Sequence, residues 1–130
     1  MHGPFAVLGA LSGAIVVLTG AFGAHGLRNT LDARALDVWE KAVHWQAAHA
    51  VALLLVAVAQ QMERDSPLGR PRLLRAAGWA FVAGTVLFSG SLYALALTDV
   101  KALGAVTPVG GLAFVVGWLA LAAAAWPRRP

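Results

Sequence analysis

Phe5-Ala6-Val7-Leu8-Gly9-Ala10-Leu11-Ser12-Gly13-Ala14-Ile15-Val16-Val17-Leu18-Thr19-Gly20-Ala21-Phe22-Gly23-Ala24 is a run of twenty residues without a charge. Wound as an α-helix at 1.5 Å per residue, it covers about 30 Å, the thickness of a bilayer's hydrocarbon core. The rival reading is a secretory leader. Met1-His2-Gly3-Pro4 carries no Lys or Arg, however, so the basic n-region of a leader is missing. The run is therefore expected to be a first membrane span. Gly20-Ala21-Phe22-Gly23-Ala24-His25-Gly26-Leu27 closes it, and Gly23 and Gly26 suit a helix C-terminus because glycine tolerates left-handed backbone.

The whole composition agrees. Of the 130 residues, 59% are hydrophobic and 12% charged, where a soluble domain carries roughly 25% charged residues. A chain this short cannot hide that much apolar surface in its own core, so the excess must face lipid. The net charge is +4. In a soluble protein this would suggest nucleic acid, but here the cations sit between apolar runs and at the C-terminus, as expected for loops of a membrane protein, and no nucleic-acid partner is expected. Without cysteines, disulfides and thiolate metal sites are excluded.

Three more apolar runs follow, over residues 43–61, 76–98 and 108–126. The expected fold is all-α: a single domain, residues 1–130, forming a four-helix transmembrane bundle with spans at about 5–24, 43–61, 76–98 and 108–126. Residues 29–42 form a short amphipathic segment between helices 1 and 2. Leu27, Leu31, Ala35, Val38 and Ala42 recur at helical spacing, and the charges lie mostly elsewhere, so this segment lies on the membrane surface or extends the second helix outward. Asn29, Thr30 and Asp32 are candidate N-caps, and Asp37 and Lys41 stand i,i+4 in the favourable order. Thr107-Pro108 is an apt start for the fourth helix.

Four spans put both termini and the second connection on one side, with Arg64, Arg70, Arg72, Arg75, Arg128 and Arg129. Arg28, Arg34, Lys41 and Lys101 lie on the other. Basic residues set orientation, so a multi-pass protein of the bacterial inner membrane with N- and C-termini cytoplasmic is expected. Small residues let helices approach closely in lipid, which makes Gly9, Gly13, Gly20, Gly23, Gly84, Gly90, Gly110 and Gly111 the expected helix-packing positions. Gly117 favours close packing in the same way. Such faces also suit a homo-oligomer or a place in a larger membrane complex.

Ionisable groups at membrane depth are costly and direct attention to a site. The order of spans brings His25, Gln46, His49, Tyr93, Asp99 and Thr107 toward one face, as a candidate polar or ligand-binding cluster. His44 and His49 are five residues apart, about 140° around a helix, and cannot share a metal. A metal site would have to join His25 and His49 to a carboxylate such as Asp99, a donor set suited to Zn or Cu(II). The blander expectation is stronger: His49 as interhelical glue worth about 1 kcal/mol, and His25 as a cap on the carbonyl end of helix 1. No cofactor is expected. No catalytic residue is identified: Ser89 and Ser91 have no histidine in their own segment, and no HExxH, phosphate loop or nucleotide fingerprint occurs.

The motifs Gly20 to Leu27, Gln46 with His49-Ala50, Phe88-Ser89-Gly90-Ser91-Leu92-Tyr93 and Thr107-Pro108-Val109-Gly110-Gly111 resemble a family. It is the small four-span membrane family of unknown function exemplified by bacterial YgdD and YwdK and related mitochondrial proteins, domain of unknown function 423. The resemblance covers nearly the whole chain. It implies four transmembrane helices and supplies no activity. His44-Trp45 departs from the family's more usual Arg-Tyr pair, which leaves His25 and His49 as the better candidates. The expected function is that of a non-enzymatic accessory, scaffold, or small-ligand- or lipid-binding component. The alternatives are a small oligomeric transporter or channel and, with less support, a histidine-based metal-binding protein.

Overall fold

The computed structural model describes residues 3–64 and 70–127, and among these there is no strand. Helix α1 spans Pro4–His25 and α2 spans Ala33–Arg64. The third span is α3 (Pro71–Gly84), a π-helical turn (Thr85–Ser89) and α4 (Gly90–Thr98) in one continuous rod. A 3₁₀ turn over Lys101–Ala105 leads into α5, Thr107–Ala125. The result is an all-α bundle with four helical rods long and apolar enough to cross a membrane. The expectations for Arg128 and Arg129 lie outside the described residues.

Local sequence explains the boundaries. Pro4 and Pro71 occupy first helical turns, where a missing N–H costs nothing. Asp32 caps α2: its Oδ1 accepts the Ala35 N–H at 2.7 Å. The amphipathic segment is thus the first part of α2 rather than a separate surface helix. At 32 residues α2 is about 48 Å long, well beyond the hydrocarbon core. The end of α1 corrects one expectation. Gly26 has φ −77°, its N–H bonds the Phe22 carbonyl at 2.7 Å, and no described glycine has positive φ. Gly23 and Gly26 serve contact instead: a methyl group on Gly23 would lie 2.6 Å from the Trp39 ring, and one on Gly26 2.7 Å from the Phe22 ring. The left-handed position among the described residues is Asp99, at φ 55°, which closes α4.

Helix α2 is central. Of its apolar window 39% is buried inside the bundle, against 11% for α1. Phe5, Ala52, Leu53, Val56, Ala77, Phe81 and Phe114 form the main core, while Leu27, Trp39 and Ala96 form a second cluster near the end of α1. Large apolar side chains such as Val17, Leu18, Val86 and Leu119 remain exposed, as lipid-facing positions must.

Lipid tails are as apolar as the core, so helices associate through close packing rather than by leaving water. Aromatic rings in glycine sockets supply that packing. A methyl group on Gly78 would come within 2.4 Å of the Phe5 ring, on Gly84 within 2.3 Å of Phe114, and on Gly117 within 2.5 Å of Phe81. A methyl group on Gly110 would meet backbone, 2.4 Å from the Phe88 nitrogen, and one on Gly9 would lie 3.0 Å from the Ala50 carbonyl and from Leu54. A methyl group on Gly20 or Gly111 would make only ordinary contacts, at 3.7 and 3.8 Å, and Gly13 and Gly90 face open space. Where the chain turns between α2 and α3, the Glu63 carboxylate accepts the Arg70 N–H, and the Arg70 guanidinium donates to the Ala123 carbonyl near the end of α5.

Candidate functional site

The structure divides the expected polar cluster into separate groups. Two of its residues, Gln46 and Tyr93, meet between α1, α2 and α4. The Gln46 amide donates to Ser12 Oγ at 3.2 Å, and the Tyr93 hydroxyl donates to Gln46 Oε1 at 2.7 Å. With the phenol proton so used, Thr19 is the donor in its 3.1 Å contact with Tyr93, and it shares that proton with the Ile15 carbonyl at 2.9 Å. The Trp39 indole N–H closes the chain on the Thr19 carbonyl at 2.9 Å. Ser12 and Thr19 were missed by sequence reasoning; their seven-residue spacing, two turns on one face of α1, was the available signal.

His49 lies elsewhere, 2% exposed, in a box of aromatic rings. Its ring stacks on Phe114 with centroids 3.5 Å apart and an 8° tilt, and Trp45, Phe81 and Trp118 surround it. Nδ1 bonds the Trp45 carbonyl at 2.8 Å, and Nε2 receives the Trp118 indole N–H at 3.1 Å. An indole nitrogen only donates, so Nε2 must carry the lone pair and Nδ1 the proton. His49 is therefore a neutral imidazole with both nitrogens engaged.

His25 ends α1 on the exposed surface. Gly9 of α1 seats on Ala50, the neighbour of His49. From that level to His25 is sixteen residues of helix, about 24 Å, so the two histidines are not brought together. Asp99 is exposed at the end of α4, and Thr107 pairs with Ser91 at 2.7 Å between hydroxyl oxygens. Among the described residues no group of three His, Asp or Glu side chains could hold a metal ion.

What the polar chain does build is the floor of a groove. A cavity of about 480 Å³ opens between α1 and the third span, with α2 beneath. Leu8, Leu11, Ile15 and Val86 wall it, and Ser12, Gln46, Thr85, Ser89 and Tyr93 supply its polar positions. Ser89 is spent: its hydroxyl donates to the Ala42 carbonyl at 2.8 Å, locking the π turn to α2. Thr85 is different. Thr19, Thr30, Thr98 and Thr107 each return their hydroxyl to the carbonyl four residues back. The Thr85 hydroxyl is buried and has no hydrogen-bond partner among the described residues. It stands at the start of the π turn, where the Phe81 and Val82 carbonyls both take the Thr85 backbone N–H and the Thr85 carbonyl takes the N–H of Gly90. π turns are rare, and they recur at functional sites.

The comparisons with known proteins agree with this architecture. The family model described as protein of unknown function, DUF423, matches residues 19–111. A UPF0382 membrane protein of Staphylococcus saprophyticus is 46% identical over 90% of this chain and 92% of its own length. The UPF0382 membrane protein YwdK of Bacillus subtilis is 42% identical over 93% of this chain and 94% of its own. No solved structure matches. Match and similarity both run through α1 to α5, and the chain belongs to the DUF423 family of membrane proteins of unknown function.

Proposed function

We propose that this protein is a non-enzymatic membrane component that binds a lipophilic small molecule or lipid in the groove between α1 and the third span. The unpaired Thr85 hydroxyl is the observation that carries the reading. At membrane depth no water is at hand to satisfy it, and an unmet buried hydroxyl costs about 1–3 kcal/mol. A ligand with one hydrogen-bond acceptor and an apolar body fills the groove and, once the Thr85 side chain rotates its hydroxyl toward the groove, relieves that cost. The volume, about 480 Å³, lies within the range of about 300–1,000 Å³ usual for small-molecule sites. The Gln46–Tyr93 pair gives the floor a fixed geometry, and the π turn sets Thr85 and Val86 along its wall.

Native mass spectrometry of protein purified in a mild detergent tests this. The wild-type chain should retain an apolar adduct. Gly90→Leu should lose it, because Gly90 lines the groove and a Cβ there has no neighbouring atom within 4 Å, so the added side chain has room to extend into the groove. Thr85→Val, which keeps the shape and removes the hydroxyl, should weaken it. Absence of any adduct, or full retention in both variants, refutes the reading. The same spectra report the assembly state, which under this proposal is a homo-oligomer or a subunit of a larger membrane complex. Both termini are cytoplasmic in a bacterial inner membrane under the same proposal, supported by six basic residues on that side against four on the other. A cysteine placed at residue 70 should accordingly be labelled only from the cytoplasmic side.

A further inference from the structure

A second cavity, of about 470 Å³, opens where α2 begins and α4 ends. Its lining joins two cations, Arg34 and Lys101, to two carboxylates, Asp32 and Asp99. Neither cation brings a nitrogen within 4 Å of either carboxylate, whereas further along α2 Lys41 and Asp37 do pair, at 2.7 Å. The four charges, all exposed, thus line one space without pairing with one another. Asp32 already uses one oxygen to cap α2, and the backbone of Asp99 is set by the left-handed turn that ends α4. Beneath the charges the lining is apolar, with Leu31, Val38, Leu95 and Ala96. The cavity lies at the ends of the spanning rods, the level at which lipid headgroups meet a bundle.

We infer that this cleft is a phospholipid headgroup site selective for phosphoethanolamine. The cleft asks for a ligand carrying an anion and a cation a few bonds apart, with an apolar continuation. The phosphate of such a lipid accepts from the Arg34 guanidinium and the Lys101 ammonium. Its primary ammonium donates to the Asp99 carboxylate and to the free oxygen of Asp32. A choline headgroup keeps the charge but has no N–H to donate. A glycerol headgroup brings no cation, so both carboxylates stay uncompensated. The acyl chains continue over Leu31, Val38 and Leu95. The inference stands apart from the groove reading, because the two cavities share no residue.

The test uses the purified full chain, stripped of endogenous lipid and titrated in detergent with dioleoyl phosphatidylethanolamine, phosphatidylcholine or phosphatidylglycerol, bound lipid being read by native mass spectrometry. The ethanolamine lipid should bind about fivefold more tightly than either of the others, the size expected of partly exposed charge-assisted contacts. D99N should bring it down to the level of the choline lipid, and R34Q/K101Q should weaken all three. Asparagine tolerates left-handed backbone, so D99N preserves the turn and carries the test alone if the double variant does not fold. Equal affinity for the three lipids, or a preference that survives D99N, overturns the inference. Displacement of the lipid by equimolar glycerophosphoethanolamine overturns it as well, by showing that a free headgroup is the occupant.

Discussion

Gly110 and Gly90 should respond to the same substitution in opposite directions. Replacing Gly110 by alanine puts a methyl group 2.4 Å from the backbone nitrogen of Phe88 and 2.8 Å from its Cα. That is about 1 Å short of ordinary contact, and backbone cannot swing aside as a side chain can. Helix α5 must move off the π turn, or the turn must unwind. Overpacking of this kind costs about 1–3 kcal/mol, while Gly→Ala inside a helix returns up to about 1 kcal/mol of propensity. The net expectation for Gly110→Ala is a loss of roughly 1–2 kcal/mol. At Gly90 the added methyl meets nothing within 4 Å, so only the propensity gain remains. Gly90→Ala should be neutral or up to about 1 kcal/mol more stable. Unfolding in mixed micelles with increasing dodecyl sulfate, followed by far-UV circular dichroism, measures both. Equal losses at the two positions, or an unchanged Gly110→Ala, would falsify the picture of α5 seated on the π turn.

Other substitutions separate packing from hydrogen bonding. His49→Phe keeps the ring stacked on Phe114 but strands the Trp118 N–H, and should cost about 1 kcal/mol; His49→Ala also empties the aromatic box and should cost about 3–5 kcal/mol, both read by tryptophan fluorescence during the same unfolding. Tyr93→Phe removes the donor to Gln46 and should lower stability by about 1 kcal/mol, with little further loss when Gln46→Leu is added, as a double-mutant cycle would show. At Asp99, glycine should be tolerated, whereas alanine should lose about 1 kcal/mol in a thermal-unfolding series, because the position has φ 55°.

The sequence made the spans legible because lipid imposes length and apolarity on each rod, and those are properties of a local window. It made Asp32 legible as a cap and Asp37–Lys41 as a pair, since both are short-range. The grouping of the polar residues was not legible. In a soluble protein the periodicity of apolar residues marks the inward face, but in a membrane both faces of a helix are apolar. Nothing in the pattern of α1 therefore separates Gly9, which touches α2, from Gly13, which touches nothing. For the same reason His25, His49 and Asp99 read as neighbours, although the register of α1 on α2 sets the two histidines many turns apart. Of the glycines expected to pack, Gly13 and Gly90 have no neighbouring atom within 4 Å, whereas Gly9, Gly23, Gly84 and Gly110 are tightly seated, as are Gly78 and Gly117. That their partners are mostly rings rather than backbones depends on which aromatic faces which glycine, a long-range fact. The π turn did leave a trace: buried positions Leu74, Ala77, Phe81 and Gly84 fall at helical spacing, then Ser89 follows after five residues.

That five-residue step bears on how the third span tolerates changes in length. An ordinary helix advances about 100° per residue, so one additional residue would turn everything beyond it away from its partners. The wide turn at Thr85–Ser89 absorbs one residue without that rotation, and Ser89 and Tyr93 still face α2. Deleting one residue within it, Leu87 for example, should give an uninterrupted α-helix that keeps the same phase. A second insertion has no such slack and would wind Tyr93 away from Gln46. The span is thus a rod with a built-in allowance of one residue: it can shorten by one and keep its bearings, and it cannot lengthen.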